Sequence, residues 1–269
     1  MATIVEMINP LTGLPEQVDQ LDHTAQEIDD AVDLAPQLSN PNLLDNWYFG
    51  NPVNQRNVSG TIDAVGYFLD RWKLVSGSVT IGSNGITLNG TIVQILETAV
   101  GTDVTASALT TEGVVVASYD NNSKTISLTG TGQTFVAAKL ELCSTQTLAH
   151  QDENGNWVLN EIPDYGEQLR RCQRYYLSNK QRNAYGKSTS TTAVYVDIPT
   201  PVTMRALPAI ETGVIGLAIC NGVHAAIASI NPVKLNDESI TLQLVLNTSV
   251  SVDYPVFLTD TNYALSADL

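Results

Sequence analysis

Between Pro41 and Lys73 the chain concentrates two of its three tryptophans, Trp47 and Trp72, together with Tyr48, Phe49, Tyr67 and Phe68. Large aromatic rings supply much of the buried area in a small domain, so this stretch has to be covered by other parts of the chain. Asn40-Pro41-Asn42 before it and Gly50-Asn51-Pro52 inside it are turn signals, because proline fixes its own φ and pushes the preceding residue to extended backbone. Leu43, Leu44, Trp47 and Phe49 form the apolar run between those turns. We therefore expect Trp47 and Trp72 to be structural core residues opening a β-sandwich. The alternative for both is an exposed platform on which a sugar ring stacks.

The chain beyond Lys73 is patterned as strands. Val79–Leu88 reads as a hairpin about Asn84-Gly85, the strongest short-range signal for one. Val114–Tyr119, a polar turn over 120–124 and Thr125–Leu128 read as a second. Phe135–Leu142 reads as a further strand with Val136, Ala138, Leu140 and Leu142 on one face. After position 190 the same grammar returns in Val194–Ile198, Val214–Ile219, Ile240–Leu246 and Val250–Leu258. Only 15% of the residues are charged, well below the usual quarter, which suits a β-rich protein with an uncharged polar surface.

The chain before Pro41 is patterned differently. Leu11, Val18, Ala25 and Val32 fall at one heptad position and Leu14, Leu21, Ile28 and Ala35 at the other. Such unbroken spacing predicts a short coiled-coil helix, ended by Pro36, with Leu14, Val18, Leu21, Ile28 and Val32 as its association seam. An amphipathic helix lying on the sandwich is the plainer alternative. Residues 1–10 are too few to fold alone and are expected to be ordered by a partner. The fold class expected is thus mainly β: a short N-terminal coiled-coil helix and two β-sandwich, jelly-roll-like domains. Their bounds are 1–39 for attachment segment and helix, 40–168 for the first sandwich and 169–269 for the second.

The formal net charge of −15 argues against nucleic acid and against anionic membrane surfaces as partners. No apolar run approaches the length needed to insert across a membrane, and Met1–Pro10 lacks a basic secretory leader. Cys143, Cys172 and Cys220 are odd in number and widely spaced, which favours reduced thiols over disulfides or a zinc site. No cofactor, metal or catalytic motif is expected. His23, His150 and His224 lack spaced ligands, and Asp152–Asn156 lacks the ligand rhythm of a calcium loop. Glu161, Asp164 and Glu167 could form a glycosidase carboxylate pair. Ion pairing with neighbouring Arg170, Arg171 and Arg174 is the plainer expectation.

Six of the 13 basic residues lie between 170 and 187, interleaved with tyrosines. Asn179–Lys187 has no apolar periodicity and reads as an exposed loop. Lys180, Arg182, Tyr185 and Lys187 are therefore the candidate ligand-binding residues, suited to an anionic glycan.

NLLDNWYFGNPVNQR and Tyr67-Phe-Leu-Asp-Arg-Trp72 resemble the opening of a β-sandwich domain of phage and prophage tail fibre proteins. The resemblance continues through Ile92–Glu97, Asp103–Ser107, Val136–Cys143, Glu167–Tyr176 and Met204–Pro208, and so covers roughly residues 40 to 210. Cys143 stands where such proteins carry glycine. The resemblance implies a tail protein of a virion or phage-tail-like particle, made in a bacterial cytoplasm. It implies a homotrimer that meets other tail or baseplate proteins through its N-terminus and binds a bacterial surface receptor, a glycan, through a lectin-like sandwich. A structural adaptor without a receptor, and a polysaccharide depolymerase, are the alternative roles.

Overall fold

The computed structural model describes residues 4–8, 15–19, 39–180, 184–212, 216–259 and 262–269. They form a mainly β protein that divides into two compact units, Met1–Ser39 and Asn40–Leu269. In the first, β1 (Ile4–Ile8) pairs antiparallel with β2 (Pro15–Asp19), Val18 standing opposite Val5. This corrects the expected helix over its opening turn. Proline is as acceptable at the start of a strand as at the start of a helix, and pairing with the β-branched Ile4–Ile8 segment overrides the heptad there. Ile4–Ile8 thus pairs within the chain, and the other residues of 1–10 lie outside the described residues. Leu14, Leu21, Ile28 and Val32 lie outside the described residues.

The second unit opens with an eight-stranded antiparallel sheet. Its main path runs β3 (Gly60–Ile62), β5 (Trp72–Gly82), β6 (Gly85–Ile95), β10 (Thr125–Glu141), β7 (Thr105–Thr110), β8 (Gly113–Val116). Strand β4 (Gly66–Leu69) adds to β5 and β9 (Ser118–Asp120) to β10. The β5–β6 hairpin forms as expected, with Ser83-Asn84 as its two loop residues and Gly85 already paired to Gly82. The 17-residue β10 carries the sheet around its core: its first part pairs with β6 and its last part, beyond Phe135, with β7. Register shifts at Thr131/Gln133 and Phe135/Ala137 bend it between the two halves. Residues 43–49 then line the free side of β10, through Leu43 N to Leu140 O, Ala138 N to Trp47 O and Phe49 N to Val136 O. The architecture is sandwich-like, made from one sheet folded over.

The aromatic stretch fills this fold as expected. Leu44, Trp47, Phe49, Phe68, Leu69 and Trp72 are buried in one cluster with Ile86, Leu88, Leu128, Phe135 and Leu140. The Trp72 indole N–H donates to the Asn46 carbonyl at 2.9 Å. Asn46, with φ 52, in turn pins the turn by donating to the Val53 and Asp70 carbonyls and accepting from Val53 N.

A two-stranded hairpin, β11 (Ala149–Gln151) and β12 (Trp157–Leu159), leads to α1 (Tyr165–Gln173). Asp164 caps that helix by accepting from Glu167 N at 2.8 Å. Beyond it, β13 (Tyr176–Lys180), β21 (Asn262–Ser266) and β16 (Ala209–Thr212) make a three-stranded sheet. The remaining strands close into an antiparallel barrel in the order β14 (Ala184–Ser188), β15 (Ala193–Pro199), β19 (Ser239–Leu246), β18 (Val223–Leu235), β17 (Leu217–Cys220), β20 (Pro255–Thr259), with β20 returning to β14. The second sandwich is thus corrected to a barrel. Both architectures need one apolar face per strand, so alternation cannot separate them; closure removes both sheet edges. Val194, Val196, Ile198, Leu242, Leu244 and Leu258 point inward with the small Ala184, Ala218 and Ala225. Within Val250–Leu258, Val252 and Tyr254 are exposed and only the part from Pro255 is strand.

Stacked arginines fasten the eight-stranded sheet region to the segment at the end of α1 and the start of β13. The Arg56 guanidinium lies 3.8 Å from the Tyr176 ring centroid and 5.1 Å from that of Tyr67, and pairs with Asp268. Arg71 lies 3.5 Å over Tyr175 and bonds Asp45 at 3.1 Å. Burial pushes the Asp70 carboxyl, beside Arg56, up to about 6 from an ordinary 3.8, against hydrogen bonds from Gln55 and the Arg56 charge. An acid with a raised folded pKa holds its proton more tightly folded than unfolded, so its burial penalty is full above about pH 6 and relieved toward 3.8. The difference is about 3 kcal/mol. Asp120 and Asp152 are held below the carboxylate range by hydrogen bonds, and their opposite effect begins only at lower pH. Denaturant unfolding should therefore show stability rising as pH falls from about 7 to about 4.5. Asp70→Asn should flatten the rise, and a fall across that window would contradict the assignment.

Candidate functional site

The structure scatters the residues that the sequence brings together as candidates. The described parts of Asn179–Lys187 are strand and not loop: Lys180 ends β13, Tyr185 and Lys187 stand on the outward side of β14, and Arg182 lies outside the described residues. Tyr185 is 71% exposed and its ring packs at 5.0 Å from that of Phe257 on the neighbouring strand. The Lys187 ammonium meets Asp253 at 2.8 Å, so its charge is matched locally. Arg171 of α1 and Arg174 at its C-terminal cap likewise find partners far away in sequence. Arg171 reaches Asp45 at 2.7 Å and Arg174 reaches Glu97 at 3.3 Å. They do not pair with Glu161, Asp164 or Glu167 as expected, because α1 turns them toward the sheet. Glu161 instead faces the buried Lys139 at 3.7 Å, and Asp164 serves as the helix cap. Trp47 and Trp72 are 3% and 0% exposed, which makes them core and not a platform.

The third tryptophan is different. Trp157 begins β12 and is 36% exposed. Its hairpin is held open to solvent by the Asp152 carboxylate, which accepts from the backbone of Asn154 and Asn156 at 2.9 and 2.8 Å. That polar turn cannot bury the indole, so the ring lies against the β7–β8 turn. A Cβ on Gly113, whose φ is +142, would come within 2.7 Å of the Trp157 Nε1 atom. Glycine therefore sets how closely the ring approaches the sheet.

Between the two hairpins runs an open groove of about 630 Å³. Trp157, Val136 and Ile162 supply its apolar surface, and Gln151, Thr111 and Glu112 stand at its rim. Gln151, Thr111 and Glu112 make no side-chain hydrogen bond among the described residues. Among the described residues no lysine or arginine lines the groove. An aromatic face with amide, hydroxyl and carboxylate groups around it suits an uncharged ring bearing hydroxyls, which stacks through its C–H face and bonds at its edge. It does not suit a phosphate-bearing polymer. Trp157 was absent from the residues expected to bind, although the sequence carries a signal for it: a large aromatic directly after the exposed turn Asp152–Asn156.

Fold and groove together define a mainly β chain that presents an aromatic groove on an outer hairpin. Compared with protein-family models, with curated proteins and with solved structures, the chain matches none of them. No helix among the described residues is long and apolar enough to cross a membrane.

Proposed function

We propose that this chain is a recognition protein that binds an uncharged glycan of a bacterial surface, as a tail component of a phage or phage-tail-like particle. The observation that carries the binding role is the partly exposed indole of Trp157 in a groove with unengaged polar groups and no cation among the described residues. The tail assignment rests on the ordered motifs between 40 and 210 that resemble tail fibre domains. Assembly as a homotrimer through the N-terminal unit, with attachment to other tail proteins there, belongs to the same reading. A light-scattering mass of one chain would remove it. Binding without cleavage is proposed because Glu161 and Asp164 are already committed to Lys139 and to the helix end.

A second reading has its own observation. Val158 and Ile162 beside Trp157 are 42% and 70% exposed, which also suits a contact with a neighbouring tail protein in a structural adaptor. Adsorption separates the two. Labelled protein should bind susceptible cells and be displaced by their isolated surface polysaccharide. Trp157→Ala should weaken binding about tenfold or more. Adsorption unchanged by that substitution, or insensitive to free polysaccharide, would favour the adaptor.

A further inference from the structure

We propose that a second concavity on the same hairpin is a further subsite, so that the protein grips a glycan chain of several units and not a single terminal sugar. This rests on the glycan reading of the Trp157 groove and adds to it the size of the ligand.

The second concavity is a cleft of about 810 Å³. Its walls are the segment around Thr102 on one side and Val116, Tyr119 and Asn121 on the other, with Gln146 at one end. The walls are braced by Asn121, whose Oδ1 accepts from Gly101 N at 2.9 Å and from the Tyr119 hydroxyl at 3.2 Å. This leaves the amide N–H₂ of Asn121 and the side chain of the exposed Asn122 available as donors. Ser107 lines the cleft from β7. It is 2% exposed, and its hydroxyl has no hydrogen-bond partner among the described residues. Buried hydroxyls are nearly always bonded, so an orphan one at a cleft lined with carboxamides is a group set aside for a ligand. As in the Trp157 groove, no lysine or arginine among the described residues lines it, which keeps the ligand class uncharged.

The two concavities are strung along one hairpin. Leu109–Glu112 line the first, while Ser107 and Val114–Ala117 line the second. Gly113, under the Trp157 ring, and Val116 are three residues apart on β8, so their side-chain directions fall on opposite faces of that outermost strand. A ligand filling both concavities has to pass around that edge, which a single pyranose cannot do and an oligosaccharide can.

The test is calorimetric titration of the full chain with neutral gluco- and N-acetylglucosamine-type oligosaccharides of one to six units, and with cell-derived neutral fragments of the same lengths. Val116→Arg places a bulky charge at a residue that is 93% exposed, so it should obstruct the cleft without touching the core. Ser107→Ala removes an unbonded hydroxyl, so the fold should be indifferent to it. Affinity should rise at least tenfold from the shortest to the longest ligand. Both substitutions should weaken the longest ligand about fivefold and leave the shortest unchanged, while Trp157→Ala weakens all. Affinity that does not change with length, or Val116→Arg binding like the parent protein, would overturn the second subsite and leave the first. Binding by no member of the series, or binding unaffected by Trp157→Ala, would overturn the glycan reading and the subsite with it.

Discussion

Trp72→Ala should lower stability by about 3–5 kcal/mol and depress the melting temperature by about 10 °C or more, with loss of soluble yield. The residue is fully buried, its ring meets Phe49 edge-on at a centroid distance of 5.2 Å, and its N–H satisfies the Asn46 carbonyl. Truncation therefore leaves both a cavity and an unbonded buried acceptor, and two penalties act together. The indole also braces the turn that Asn46 pins, so the damage reaches the start of the sheet. Trp157→Ala is the internal control. It is about one-third exposed and its ring rests on a glycine, so melting should shift by only a few degrees while binding collapses. Equal destabilisation by both substitutions would mean that Trp157 is packing and not platform.

The second large effect is expected at Gly90. Gly77, Gly90 and Gly130 stand opposite one another across β5, β6 and β10, a row of absent side chains along which the strands approach closely. A Cβ on Gly90 would sit 2.0 Å from the Ser76 carbonyl oxygen, and its φ of +152 is one that L side chains rarely adopt. The obstructing atom is backbone, so no rotamer change relieves it. Gly90→Ala should cost about 3 kcal/mol or more, and Gly90→Val should prevent folding of the sheet. Circular dichroism melting of the alanine variant decides this; a transition within a degree or two of the parent would show that the strands can part.

The sequence alone carried the aromatic core, the mainly β character and several hairpins, because these depend on local rules. A large ring has few alternatives to burial, and an Asn-Gly step between alternating apolar residues has few alternatives to a reversal, although the two loop residues prove to be Ser83-Asn84. The helix Tyr165–Gln173 was not among the expected elements, because Asp164 and Glu167 fit an ion-paired cluster as well as they fit a cap. Tertiary structure decided what depends on pairing at a distance. Whether alternating strands form two sheets or a barrel depends on whether β20 finds β14, far away along the chain, and nothing local encodes that meeting. The heptad spacing from Leu11 is locally sound, yet Pro15–Asp19 is a strand, because a hydrogen-bonded partner outweighs periodicity over so short a length. The cations that look free in the chain meet Asp45, Glu97 and Asp253 only once it is folded. The groove likewise exists because Gly113 and Trp157, far apart in sequence, are brought face to face. Composition and local pattern determine what must be buried; the long-range register of strands determines what is left uncovered to bind.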